Sequence, residues 1–525
     1  MKKLFIAVMA LATIVSCSKE NEEANVTPVG GETALLSVSL KSVDDLTRAG
    51  VVGSYKDGDA TENTVSNVDF YFFNADGSAY AVDGTDNFIS VTPNFAAEGD
   101  ATNTIESVSD VVLVIKGAKK QLPTQMVAIV NAPVAATKSS LSDLEASVLE
   151  TLKNEGGNFV MSNSVYMNGT VKITATQILP ENIFVDPNYD GAVGEKYNGS
   201  VNVTPIDIYV ERVAAKVEVK LTNGGLYDTG EKYEGKTIYA QVLGWGVTNN
   251  TAQANLIKSI DPTWTDLGLG FAWNNAGHFR SHWAATTAVP AHNLSFTALT
   301  NHTATADYYF ENTKPAAEKN SVISGEGNQT PQLLVAAKLV VKNGENYEAL
   351  ELGEWYGVQY TIEDLKTVMI NTVASKLFKK GNAANEFVSI DKDDVVFEQM
   401  PATTPDKRYE VVVKVKSGFE YFNAAGELAT DAQDILDGIQ PAKMWRTGSA
   451  YYFTNIQHYG NKTGIVRNHW YEINVNAITG LGTPVYEPTQ IIIPEIPEKD
   501  KAAHLAAEIN VLSWALVSQN VNLGN

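Results

Sequence analysis

The chain has 525 residues, room for two large β-rich domains or three average ones and too much for a single small fold. Apolar residues at 44% and charged residues at 19% exclude wholesale disorder, collagen-like repeats and a coiled-coil rod. A net charge of -22, from 61 acidic against 39 basic residues, repels phosphate backbones and argues against nucleic acid as a partner. The single cysteine, Cys17, excludes an intramolecular disulfide, a CxxC redox pair and a multi-thiolate zinc site.

Lys2 and Lys3 precede an apolar run from Leu4 to Val15, too short to span a bilayer and suited to the h-region of a secretory signal over residues 1–16. The run closes as Ile14-Val15-Ser16-Cys17, which resembles a bacterial lipoprotein processing site with lipidation at Cys17. The acidic run Ser18-Lys19-Glu20-Asn21-Glu22-Glu23 looks like a surface-export signal, and acyl chains at about 0.8 kcal/mol per buried methylene would hold a precursor in the outer membrane.

Ala34, Leu36, Val38 and Leu40 alternate with Leu35, Ser37, Ser39 and Lys41, the period of a strand with one face in a core, broken only by Leu35. The following stretch, Val43 to Gly53, carries polar residues, two glycines and the bond Arg48-Ala49, and reads as an exposed, protease-accessible loop. Arg48 is the only arginine among the first 200 residues. Cleavage there could release the first strand and open a groove of apolar side chains and unpaired backbone groups.

Val65 to Phe73, Val111 to Ile115 and Met126 to Val130 read as strands, the first ending at the turn Asn74-Ala75-Asp76-Gly77. A capping box of Ser142 and Glu145 predicts a helix with Leu144, Val148 and Leu152 on one face and a stop at Gly156. Asp186-Pro187-Asn188-Tyr189-Asp190-Gly191 opens like a calcium loop, but Tyr197 stands at the twelfth position, so an acidic turn is the default. Ile206 to Leu221 alternates as one long run, and the polar, glycine-rich stretch Asn223 to Lys236 is the expected domain boundary.

His278 and His282 have the four-residue spacing of a zinc-binding helix without its glutamate, so a packing cluster with Trp273 and Trp283 is expected and no metal is assigned. A second helix is predicted from Thr361 and Asp364 through Leu365, Val368, Met369 and Leu377 to Gly381. No phosphate loop, nucleophile elbow or other catalytic constellation stands above the acidic background, so the chain reads as a non-enzyme that needs no cofactor.

Two prolines, Pro494 and Pro497, mark an extended arm. Beyond it Ile509, Val511, Val517, Val521 and Leu523 fall on one face of a β-like tail, while Trp514 joins Leu512 and Leu516 in making the other face apolar at its middle. Burial on both faces suits the inside of a sandwich. About five such side chains at roughly 1.5–3 kcal/mol each, with a ladder of hydrogen bonds, would make a lasting junction. Periodicity does not distinguish pairing within the chain from pairing with another one.

Several segments in order resemble the fimbrillins of the Bacteroidetes, the subunits of type V pili. They are the site at Cys17, the strand ahead of Leu46-Thr47-Arg48-Ala49, Val68 to Gly77, Val127 to Pro133, Phe159 to Asn163, Glu211 to Val217, Arg280 to Ala284, Arg467 to Tyr471 and Ile509 to Leu523. The resemblance implies an all-β chain of two transthyretin-like Greek-key β-sandwich domains with a few short covering helices. It divides the chain into a signal peptide (1–16), a propeptide with a removable first strand (17–48), an N-terminal sandwich (49–230) and a C-terminal sandwich (231–525) ending in donor strands at about 501–525.

It further implies a pilus-shaft subunit cut after Arg48 by an arginine-specific protease. Ala34, Leu36, Val38 and Leu40 would be displaced, and Ile509, Val511, Trp514, Val517, Val521 and Leu523 of another subunit would take their place. The implied partners are further copies of the chain, accessory tip and anchor subunits, the protease, and host or bacterial surface receptors, with the outer membrane engaged only through the precursor's lipid. The alternative is a monomeric surface lipoprotein that binds glycans through Trp245, Trp273 and Trp283.

Overall fold

A computed structural model describes residues 34–42, 55–56, 58–82, 85–92, 108–115, 122–133, 135–184, 204–315, 329–401, 409–460, 462–494 and 514–524. Strands dominate them and the helices are short, as an all-β reading requires.

The N-terminal part is built on one nine-stranded sheet. Its main path runs Ile183–Phe184, Ala34–Ser42, Ile206–Arg212, Met161–Asn163, Gln125–Val130, Val68–Phe73 and Phe88–Val91, with Val108–Ile115 along the other side of Ala34–Ser42. All six residues of Val68–Phe73 are buried, which explains a strand with almost no polar alternation. Val68, Phe70 and Phe72 join Leu113, Ala128 and Ile208 in one core, while Tyr71 and Phe73 point with Val127 and Ile129 into a second. Strands from both ends of the path line the first core, so the sheet folds over itself.

The run Ile206 to Leu221, which alternates like one strand, is two. Ile206–Arg212 belongs to the first sheet, and Ala215–Leu221 lies in a five-stranded sheet beside His469–Thr479. Val213 and Ala214 are fully buried at the crossing. Three consecutive apolar residues, Val213-Ala214-Ala215, break the alternation where the chain changes sheets, upstream of the polar stretch from Asn223.

The five-stranded sheet runs Tyr55–Lys56, Trp514–Gly524, His469–Thr479, Ala215–Leu221 and Ala306–Tyr309. Against it packs a six-stranded sheet whose longest pair is Lys236–Thr248 with Gln332–Asn343. Val217, Ile473, Ile238, Val335 and Tyr452 share the core between them, and the Tyr227 hydroxyl donates across it to the Val475 carbonyl at 2.8 Å. A separate cluster around Leu365, Met369, Val411, Leu436 and Met444 holds the two helices Ile362–Asn371 and Ala432–Asp437 against short strands.

The two capping predictions fare differently. Thr361 caps its helix, its hydroxyl accepting from the Asp364 amide at 3.1 Å, but the helix stops at Asn371 and Leu377 is buried beyond it. The earlier helix is only Leu141–Glu145 and its cap is Ser140, not Ser142. Val148–Leu149 instead pair as a strand with Ala254–Asn255, because a β bridge to the C-terminal body competes with one more helical turn.

His282 sits among buried rings, edge-on to Phe271 at 5.1 Å and 5.8 Å from His469, while His278 ends a separate turn, Ala276–His278. The paired-imidazole helix is therefore absent, and no group of three potential metal ligands occurs among the described residues. Next to them His458 is fully buried. The Tyr471 hydroxyl accepts from the Val466 amide at 2.8 Å and so directs its proton to His458 Nδ1 at 2.8 Å, leaving Nε2–H to donate to the His282 carbonyl at 2.6 Å.

That arrangement needs neutral His458, and burial pushes its pKa down to about 3. The unfolded imidazole titrates near 6.5, so between these values the unfolded chain binds more protons. The His458 contribution is complete above about pH 6.5 and declines as the pH falls toward 3. Urea midpoints measured at pH 7 and pH 4.5 should therefore converge in His458→Gln relative to the parent chain; an unchanged difference would refute the assignment.

Candidate strand-exchange site

The leading strand, Ala34–Ser42, lies inside its sheet. On one side Ala34 to Lys41 run antiparallel to Val108–Ile115, with Ala34, Leu36 and Val38 in register with Ile115, Leu113 and Val111. On the other, Val38 and Leu40 run parallel in register with Ile206 and Ile208. These five partners are at most 3% exposed and belong to the N-terminal core. A strand is thus required here to complete two ladders between strands that line a core.

The chain after the predicted cut is anchored separately. Tyr55–Lys56 pair with the first residues of Trp514–Gly524. The short helix Ala60–Asn63 is held by a reciprocal capping box between Asp59 and Glu62. Glu62 is fully buried, and its carboxylate accepts from Lys216 Nζ at 2.6 Å and from the Tyr308 hydroxyl at 2.5 Å. Arg212 Nε donates to the Glu62 carbonyl at 3.0 Å, and its guanidinium also reaches Asn63 and Asn468. Burial and the Glu62 carboxylate drive the Tyr308 pKa far up, so its hydroxyl stays a donor.

The trailing strand, Trp514–Gly524, pairs within its own chain, parallel to His469–Thr479 and antiparallel to Tyr55–Lys56. Val517 is in register with Tyr471, Val521 with Val475 and Leu523 with Ile478, across a bulge between Val475 and Ala477. Val521 and Leu523 are buried in the C-terminal core, as their shared odd-numbered face predicts. Gln519 is buried too, accepting from the Gln457 amide at 3.2 Å and donating to the Asn455 carbonyl at 3.2 Å. Among the described residues the strand is flanked on its outer side by Tyr55 and Lys56 alone, near the border of its sheet, where a place inside the sandwich rather than at an edge was expected.

Cys17, Arg48, Ala49, Ile509 and Val511, the signal peptide and the loop from Asp186 to Asp190 lie outside the described residues. Trp245, Trp273 and Trp283, proposed above as an exposed glycan platform, are 5–7% exposed and sit in the C-terminal core. That platform is corrected: the indole nitrogens of Trp245 and Trp273 are spent on the Ala304 and Trp264 carbonyls.

The buried charges were not found from the sequence. Lys258 pairs with Glu211 at 2.6 Å and donates to the Ser281 carbonyl at 3.0 Å. Arg467 makes a two-pronged contact with Glu311, at 2.9 and 2.6 Å, and caps the Leu256 and Asn255 carbonyls. A signal existed in the charged pair Glu211-Arg212 beside the apolar triplet, since charges there have no solvent to face.

Residues 443–520 match the family described as major fimbrial subunit protein type IV, fimbrillin, C-terminal. That stretch holds His469–Thr479 and the first part of the trailing strand. No curated protein matches the chain. Solved structures that align with it include a fimbrilin from Porphyromonas gingivalis, with 14% identity, TM-score 0.37, and 93% of this chain and 98% of that one covered. A fimbrial assembly protein from Parabacteroides distasonis aligns at 13% identity and TM-score 0.28, covering 75% and 100%. The tip fimbrial protein Mfa3 from Porphyromonas gingivalis aligns at 10% identity and TM-score 0.28, also covering 75% and 100%.

Docking of the trailing strand in its own chain has a direct test. Leu523→Ala removes a buried side chain, at a cost of about 2–5 kcal/mol, and should lower the urea midpoint of the monomer. A midpoint equal to the parent's would show that the strand is not packed there in solution.

Proposed function

We propose that the chain is a structural subunit of a cell-surface fimbria, similar to the shaft subunit of the minor fimbriae of Porphyromonas, that polymerises by exchanging its trailing strand for the leading strand of a neighbour. The observation that carries this reading is the leading strand's place in the sheet interior, between two strands whose inward residues are buried. The C-terminal match to the fimbrillin family supports it.

On this reading the precursor is lipidated at Cys17 and cut after Arg48 by an arginine-specific protease. The helix Ala60–Asn63 keeps its own anchor at Glu62, which does not involve the trailing strand, so the cut frees residues upstream without unseating that helix. The vacated place has a parallel neighbour, Ile206–Arg212, and an antiparallel one, Val108–Ile115, with Ile183–Phe184 also antiparallel at Leu35 and Leu36; the trailing strand likewise has a parallel and an antiparallel neighbour at home. Eleven residues are available to replace nine.

Each ladder bond contributes a net of about 0.5–1.5 kcal/mol, but each buried group left unpaired costs about 1–3 kcal/mol, so the empty groove is the strained state. While the leading strand remains covalently attached, its effective concentration keeps other strands out. Exchange between successive copies is head-to-tail and does not close, which yields a filament. Two sandwich domains, accessory tip and anchor subunits, and adhesion to host or bacterial surfaces complete the proposal.

The test is to nick the purified chain at Arg48 and run it unheated on a denaturing gel beside a variant ending at Asp500. A ladder should form only from the nicked full-length chain, and Arg48→Ala should stay monomeric when exposed to the same protease. Monomers in every lane would overturn the proposal.

A further inference from the structure

A cleft of about 450 Å³ opens beside Ile206–Arg212, the strand that runs parallel to the leading strand. Its floor includes Asp207 and Tyr209, which alternate with the core residues Ile206, Ile208 and Val210 along one strand. Its walls come from Tyr166–Asn168, Thr176–Gln177 and the turn Pro180–Asn182, and Leu179 on its rim is 48% exposed.

Phe279 enters this cleft from the far side of the chain. It stacks on Tyr209 with ring centroids 3.9 Å apart and planes 8° from parallel, and meets Tyr166 edge-on at 5.8 Å. Phe279 has φ +56°, a left-handed conformation that an aromatic residue adopts only where the surroundings impose it. The backbone strain therefore serves to place this ring between the two tyrosines.

Apart from Glu181 and Asp207 the polar lining is uncharged, and part of it is pre-ordered. Asn163 is fixed by accepting from the Ala128 amide at 2.8 Å, and Asn182 by bonds to the Leu179 amide and the Thr204 carbonyl. Ser164 is 4% exposed, and its hydroxyl has no hydrogen-bond partner among the described residues although it lines the cleft. A buried hydroxyl left in that state is one a ligand hydroxyl can satisfy. Burial, with Asp207 and Tyr166 nearby, pushes the Tyr209 pKa up to about 12, so its hydroxyl remains protonated at neutral pH.

Among the described residues no lysine or arginine lines the cleft, whereas Glu181 and Asp207 do, and the chain carries a net charge of -22. Anionic ligands are thereby disfavoured. An aromatic cluster beside amides and hydroxyls, in a concave site of this size, matches a ligand with one apolar face and many hydroxyls. We propose that this cleft binds a neutral pyranose oligosaccharide, with its ring C–H face on the Phe279–Tyr166 aromatic cluster and its hydroxyls toward Ser164 and the amide-rich wall.

No step of strand exchange enters the proposal, but Asp207 and Tyr209 pair with Ser39 and Lys41 of the leading strand, so the uncut full chain is the protein to test. Saturation-transfer NMR and titration calorimetry would use maltotriose, mannotriose and N-acetyllactosamine as probes, with sialyllactose as the anionic control. At least one neutral probe should bind through its ring protons, and sialyllactose should not. Phe279→Ala removes the aromatic face, and Gln177→Trp fills the mouth from an exposed position without touching the core. Each should weaken binding at least tenfold, with the thermal midpoint of Gln177→Trp unchanged. Failure of all three neutral probes to bind, or binding of parental strength in Gln177→Trp, would overturn the assignment.

Discussion

A strand in the interior of a sheet satisfies two rows of backbone groups at once, and no rearrangement of its neighbours can replace it. Ala34–Ser42 holds that position, with Val108–Ile115 on one side and Ile206–Arg212 on the other. The core beneath is closed by the same residues, since Val111, Leu113, Ile206 and Ile208 all pack into it. The fold therefore places a segment close to the amino terminus where a sheet ordinarily has its most protected strand. Whichever chain supplies the strand, the N-terminal part needs one.

The C-terminal half answers a different constraint, which is how to keep charges inside a sandwich. Glu62–Lys216, Glu211–Lys258 and Glu311–Arg467 are buried pairs, each with further hydrogen bonds to its members or their neighbours. Buried pairs add little net stability over apolar packing, but losing one partner strands the other, so they act mainly on which surfaces can meet. Two of them link the N-terminal strand Ile206–Arg212 and the helix Ala60–Asn63 to residues of the C-terminal body. The geometry thus joins the two halves while leaving the leading strand outside this network of described contacts.

Much of the strand content was legible. Val65 to Phe73, Val111 to Ile115 and Met126 to Val130 all appear, shifted by a few residues at their ends, because β-branched and aromatic runs bounded by turns have few other ways to bury both faces. The Thr361 cap was legible for the same local reason, a hydroxyl within reach of the Asp364 amide. The Ser142 cap was not, because Val148–Leu149 is claimed by a strand more than a hundred residues later. The three tryptophans misled for a related reason: exposure depends on which sheet covers a ring, and no local pattern records that.

Periodicity along the chain determined that Ala34 to Leu40 and the odd-numbered residues at the end of the tail each have one face suited to a core, since alternation at a spacing of two is a local property. Tertiary structure alone decided which strands each segment pairs with, that the crossing between sheets falls at Val213–Ala214, and that Phe279 lies against Tyr209. Those outcomes depend on contacts between residues far apart in the chain, where register and burial are settled by the partner's shape and charge and leave no trace in the spacing of either segment.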